Sequence, residues 1–149
     1  MIPNRAEILL ADDDPEVRRV IADAFRKTGS RITEAESGND LFAQLHERAH
    51  SKAGFDLIIS DVRMPGFTGV EVLEALRDAS DPADDYAPHL GDTPIILITA
   101  FGDREIRDKA RRLGATLFSK PFDIDELRAF ALTLVAPVDD MYCDYGGDE

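Results

Sequence analysis

EILLADDDPEVRRVIADAF, residues 7–25, changes its period partway through. Residues 7–11 form a short, nearly continuous apolar run, the pattern of a buried strand. Asp12, Asp13 and Asp14 follow, then Pro15. An Asp before a Pro makes a good helix start, because the carboxylate caps free N–H groups and the ring suits the first helical position. Beyond it, Val17, Val20, Ile21, Ala24 and Phe25 recur at the spacing of a helix with one buried face, and Gly29 suits its end. A strand running through a polar turn into an amphipathic helix is the building unit of a parallel sheet.

The same switch recurs four more times. Residues 31–35 (RITEA) predict a more polar strand near an edge, followed by a helix capped by Ser37 and carrying Leu41, Phe42, Leu45 and Ala49. Residues 55–60 (FDLIIS) predict a strand with Asp61 at its end. Met64-Pro65-Gly66 then breaks the chain, and Gly69 opens a helix with Val72, Leu73 and Leu76. Residues 94–100 (PIILITA) are the most apolar strand, buried on both faces, and lead to a helix over 103–113 with Ile106, Ala110 and Leu113 inward. Residues 116–119 predict the last strand, ending at Lys120-Pro121. The final helix starts at Asp123 with Glu126 in capping-box spacing and buries Ile124, Leu127, Phe130, Leu134 and Val135. Five such units predict an α/β fold, a doubly wound parallel sheet with helices on both faces. The expected organisation is one domain over 1–136 and an acidic flexible tail over 137–149.

Composition bounds the function. The chain has 149 residues, the size of one domain, and 44% hydrophobic content, too high for a disordered chain. Thirty acids against 17 Lys and Arg give a net charge of -13, which argues against nucleic acid and against an anionic membrane surface. Ten of those acids fall in 78–93 and 137–149, two stretches without Lys or Arg. The lone cysteine, Cys143, excludes an intrachain disulfide framework and fits a reducing compartment. No apolar run is long enough to span a bilayer, and Glu7 and Asp12 come too early for a secretory signal, so a cytoplasmic location is expected.

In open parallel sheets the ligand site lies beyond the carboxyl ends of the strands. Asp12 and Asp13 follow the first strand, Asp61 ends the third, Thr99 lies near the end of the fourth and Lys120 ends the fifth. Three carboxylates on one rim repel each other, and a hard divalent cation relieves this. A single ammonium and a hydroxyl beside such a site suit a phosphoryl group, and carboxylates act as nucleophiles toward phosphoryl groups. The chemistry therefore points to a metal-assisted phosphoryl acceptor.

From about residue 8 to 135 the chain resembles a response-regulator receiver domain of bacterial two-component signalling. The carriers are ILLADDDPEVRR at 8–19, DLIISDVRMPGFTG at 56–69, PIILITA at 94–100 and LFSKPFDIDEL at 117–127. The resemblance implies a flavodoxin-like five-stranded sheet in the order 2-1-3-4-5. It implies Asp61 as phosphoacceptor, and Mg²⁺ (or Mn²⁺) held by Asp13, by Asp61, by the backbone carbonyl of Arg63 and by Asp12 acting mostly through metal-bound water. Thr99, Ala100 and Lys120 are the implied phosphate-binding and switch residues, with the bond to Pro121 cis. The family's switch aromatic falls on Leu117 or Phe118, depending on the register of 114–120. Arg63 and Phe101 occupy positions that gate the attacking water, and their bulk implies slow loss of the phosphoryl group. The implied partners are a sensor histidine kinase or phosphotransfer protein, a downstream protein target, and a second copy paired through the fourth and fifth helices. On this reading the chain is a signalling phosphoacceptor, catalysing only its own phosphorylation and dephosphorylation. No output domain follows residue 135, so a receiver standing alone or a piece of a longer protein is expected.

Other readings compete. A pseudo-receiver would share the fold as a constitutive interaction module, against which the complete set of acids, Thr and Lys argues. His46-Glu47-Arg48-Ala49-His50 matches a zinc-hydrolase pattern, but both histidines fall toward the solvent side of their helix. Asp14, directly before Pro15, reads as a cap rather than a ligand. Arg104, Arg107, Lys109, Arg111 and Arg112 make the fourth helix basic, while Asp123, Asp125 and Glu126 make the start of the fifth acidic.

Overall fold

A computed structural model describes residues 6–51, 54–63, 70, 71, 74, 93–100 and 104–135. Five strands, β1 (Glu7–Ala11), β2 (Arg31–Ala35), β3 (Leu57–Asp61), β4 (Ile95–Thr99) and β5 (Thr116–Ser119), form one parallel sheet in the order β2-β1-β3-β4-β5. The described helices are α1 (Pro15–Arg26), α2 (Gly38–Ser51), α3 (Arg104–Leu113) and α4 (Ile124–Val135). Thus α3 and α4 are the helices expected fourth and fifth. Of the helix expected from Gly69, Val70, Glu71 and Glu74 are described and helical. The rest of it, the acidic stretch over 78–92, Phe101 and the tail over 137–149 lie outside the described residues.

Local chemistry sets the element ends. Asp14 caps α1, its Oδ1 accepting from the N–H groups of Glu16 (3.0 Å) and Val17 (3.4 Å), with Pro15 in the first turn. The Ser37 hydroxyl accepts the Asp40 N–H at 3.0 Å and starts α2, and Asp123 accepts the Asp125 N–H at 2.8 Å and starts α4. Gly29 (φ 91°) and Gly114 (φ 71°) close the turns after α1 and α3 in the left-handed region that glycine tolerates.

The sheet separates two cores. Leu9, Ile58, Ile95 and Leu97 pack under α2 and α3 with Leu41, Leu45, Ala110 and Leu113. Ile8, Leu10, Leu57, Ile59, Ile96 and Ile98 pack under α1 and α4 with Ile21, Phe25, Leu127 and Ala131. β3 and β4 are buried along their whole length, as central parallel strands covered on both faces must be. β2, more polar and half-exposed, sits at the edge. Two apolar residues leave the faces expected for them: Val20 is 57% exposed and Phe42 44%. The buried face of α1 centres on Ile21, Ala22 and Phe25, which rotates Val20 off the sheet.

Register places the site. Ala11 pairs with Ala35 on one side and Ser60 on the other, Asp61 pairs with Ile98, and Thr99 pairs with Ser119. The residues just past these pairs therefore emerge on one rim.

Candidate functional site

The expected rim residues converge. Carboxylate oxygens of Asp12, Asp13 and Asp61 all lie within 4.8 Å of one another, the one group of three or more metal-ligating side chains among the described residues. Asp12 and Asp61 are buried and Asp13 is exposed. The Asp61 Oδ1 accepts the Arg63 N–H at 3.0 Å, and its Oδ2 accepts from the Lys120 ammonium at 3.0 Å. Ladder bonds continue past the strands and hold these groups level: the Val62 N–H donates to the Ile98 carbonyl at 2.8 Å and the Lys120 N–H to the Thr99 carbonyl at 2.7 Å. Thr99 is buried at the end of β4, and Ala100 follows it, exposed. The Lys120–Pro121 bond is cis, as expected.

Asp12 is the most constrained member. Its Oδ1 accepts the Asp14 N–H at 2.9 Å, while its buried Oδ2 has no hydrogen-bond partner. Burial, reinforced by the charges of Asp61 and Asp13, pushes its carboxyl up from 3.8 to about 6, against the opposing pull of the Asp14 N–H and Lys120. Burial alone would lower the Lys120 ammonium, but the hydrogen bond and charge of Asp61, helped by Asp12 and Asp13, hold it above its ordinary value. A buried, unpartnered carboxylate oxygen in a ring of three acids fits a hard divalent cation, which takes only oxygen donors of this kind.

Leu117 and Phe118 lie on opposite faces of the sheet. Leu117 packs with the core under α3 and lies opposite Leu97, two residues before Thr99 on the same side of the sheet. Phe118 points to the other core, its ring 5.7 Å from that of Phe130. The side that Thr99 shares is thus aliphatic at β5. Of the histidine pattern, His46 stacks on Phe42 (6.0 Å between centroids) and joins no metal-ligating group among the described residues, and the side chain of His50 lies outside them.

Two features were not expected. Val17, Val20, Ile21, Lys120, Phe122 and Ile124 line a groove of about 680 Å³ between α1 and α4, next to the acids. The exposed Val20 signals it only once the helix face is known. Arg18 donates from Nη1 to the Asp12 carbonyl at 2.7 Å and from Nε to Glu34 at 2.9 Å. Its only trace in the sequence is an Arg one helical turn past the capping Asp14.

The chain matches, over residues 8–131, the family model described as response regulator receiver domain. The chemotaxis protein CheY of Pseudomonas aeruginosa is 32% identical over 124 residues, 82% of this chain and 90% of that one. The regulatory protein AtoC of Escherichia coli is 35% identical over 124 residues, 80% of this chain but only 23% of AtoC, so the chain spans about a quarter of that relative. Among solved structures, the chemotaxis response regulator CheY4 of Vibrio cholerae superposes with a TM-score of 0.69 at 29% identity, covering 87% of this chain and 98% of that one.

Proposed function

The chain belongs to the response regulator receiver family of two-component signalling, and we propose that Asp61 is its phosphoacceptor, served by the groups around it. The observation that carries this reading is the pairing of buried Asp61 with Lys120 at 3.0 Å beside a second buried carboxylate with an unpartnered oxygen. In the proposed reaction an Asp61 oxygen attacks the phosphorus of a phosphohistidine on a partner kinase or phosphotransfer protein. The P–N bond breaks, the imidazole leaves with a proton from solvent, and an aspartyl phosphate remains.

Asp12, Asp13, Asp61 and the Arg63 carbonyl are the groups we assign to Mg²⁺. When bound, the cation supplies the positive charge that three acids and incoming phosphoryl oxygens demand. Lys120 holds Asp61 in place before transfer and meets the phosphoryl charge after it. We assign Thr99 and the Ala100 N–H, at the end of β4, to donate to phosphoryl oxygens, and their inward movement is the proposed switch. Positioning and charge compensation are most of what phosphoryl transfer requires.

The apolar groove beside Lys120 is where we place the donor protein, because it opens next to the acceptor. The exposed basic face of α3 and the acidic start of α4 are the surface we assign to a second copy or a downstream target. No helix among the described residues is long and apolar enough to cross a membrane, and a cytoplasmic signalling role is proposed. The test is Mg²⁺-dependent labelling by acetyl phosphate. Wild type should take one phosphoryl group that base and hydroxylamine release, and Asp61→Asn none. Equal labelling of the two proteins defeats the assignment.

A further inference from the structure

Asp12 presents one free oxygen because everything else about it is tied down. Its N–H donates to the Ala35 carbonyl at 3.0 Å, its Oδ1 accepts the Asp14 N–H at 2.9 Å, and its carbonyl accepts from the Arg18 guanidinium at 2.7 Å. That carbonyl belongs to the peptide joining Asp12 to Asp13, so its orientation sets where both carboxylates leave the backbone. Arg18 is itself held. Its Nε donates to Glu34 Oε1 at 2.9 Å, its side chain is only 16% exposed, and the other Glu34 oxygen accepts from Arg26 at 3.1 Å. A chain of three side chains from α1 and β2 thus ends on the peptide between two acids.

We propose that Arg18 is a positioning residue for the divalent cation: by fixing the Asp12–Asp13 peptide it keeps both carboxylates converged on Asp61. This deepens the reading of these acids as cation ligands and rests on it. The reason is mechanical. Three carboxylates within 4.8 Å repel, and the turn that carries two of them relaxes by opening. A guanidinium is a rigid planar fork and can hold a carbonyl and a carboxylate at once, which an ammonium on a flexible stem cannot do with the same geometry. Its positive charge alone would oppose a cation. Glu34, ion-paired to it at 2.9 Å, offsets that charge, while Arg26 lies two helical turns farther from the acids. Loss of a partner that orients a ligating group in this way typically costs about 10- to 100-fold in metal affinity.

The experiment is Mg²⁺ titration by calorimetry on the folded protein, with urea unfolding measured in parallel. Arg18→Met should weaken Mg²⁺ binding by about tenfold. Arg18→Lys should remain weakened, because charge without the fork does not fix the peptide. Arg31→Met, which removes an ion pair to Glu7 at the opposite end of the sheet (3.5 Å), should bind Mg²⁺ as wild type does. In an Asp12→Asn background the further loss from Arg18→Met should be smaller than in wild type but persist, because the Asp13 carboxylate still leaves the same peptide. Without metal, the Asp13 amide ¹⁵N resonance should move in Arg18→Met and stay in Arg31→Met. If Arg18→Met does not fold, Arg18→Lys carries the measurement. Wild-type Mg²⁺ affinity in either Arg18 variant overturns the positioning role and leaves the cation reading intact. A wild-type protein that takes up no Mg²⁺ overturns both.

Discussion

Asp12 and Asp61 face each other across the rim and are held in opposite ways. Asp12 is fixed through its backbone and one oxygen, and nothing meets the other. Asp61 has both oxygens occupied, one by the Arg63 N–H and one by Lys120. The first is a buried charge awaiting compensation, its carboxyl pushed up to about 6. The second already has a counter-ion, on a long side chain that can follow the charge outward. One half of the site is thus built rigid and electrostatically unsatisfied, the half we assign to the cation. The other half is built satisfied and exchangeable, the half we assign to phosphoryl transfer.

The largest effect that tests this contrast comes from Lys120→Met. Removing a charge aimed at developing phosphoryl oxygens should slow acetyl phosphate labelling by about 100- to 1,000-fold. The same variant removes a positive charge beside the acids, so Mg²⁺ should bind more tightly, not less. Labelling and Mg²⁺ titration of one variant check both signs; a parallel loss of the two would erase the division of labour.

Next in size is the cost of Asp12 itself. Its folded pKa lies above the unfolded value, so between about pH 4 and 6 the folded chain keeps a proton that the unfolded chain releases. Metal-free stability therefore falls as pH rises through that window. The shift from 3.8 to about 6 corresponds to about 3 kcal/mol at neutral pH, an upper figure. Asp12→Asn should stabilise the metal-free protein at pH 7.5 by about 1–3 kcal/mol, abolish the fall between pH 4 and 6, and forfeit most stabilisation by Mg²⁺. Urea unfolding at pH 5 and 7.5, with and without Mg²⁺, measures all three. A less stable variant at pH 7.5 would mean that Asp12 is not the strained member.

A smaller change separates the two chemistries at the groove. Val20 is 57% exposed, so Val20→Asp leaves both cores intact. It should leave acetyl phosphate labelling unchanged and lower transfer from a phosphohistidine donor by about tenfold, the effect of losing one apolar contact in a docking surface. Equal loss with both donors would move the docking surface elsewhere.

The sheet, its order of elements and the rim were legible because they rest on one-dimensional signals. These are the apolar runs at 7–11, 55–60 and 94–100, the capping acids at 14 and 123, and polar residues at strand ends. What did not show was set by rotation and reach. Val20 fits the helical period of α1 yet lies off its buried face, because the face is fixed by where Phe25 meets the sheet. Leu117 and Phe118 could not be told apart until the pairing of Ile98 with Phe118 assigned each to a face. Arg18 and Glu34 are 16 residues apart, and only the neighbouring positions of α1 and β2 bring them into contact.

That contact gives the smallest test. Burial acts to raise the Glu34 carboxyl, but the hydrogen bonds and charges of Arg18 and Arg26 outweigh it and hold it below its ordinary value. Its contribution is present above pH 4.5 and lost as pH falls through the lowered folded pKa, the opposite sense to Asp12. As metal-free protein is acidified from pH 7, Asp12 should first raise stability, and below about pH 4 Glu34 should lower it. The maximum should therefore lie on the acid side, near pH 4–5. Glu34→Gln should cost less than about 1 kcal/mol at pH 7, as half-exposed ion pairs do, and soften the decline below pH 4 without moving the rise above it. Saturating Mg²⁺ should reverse the slope above pH 4, because a cation favours the ionised Asp12, and leave the Glu34 limb where it was. A stability profile in which Mg²⁺ shifted both limbs together would show that the two acids do not belong to separate parts of the molecule.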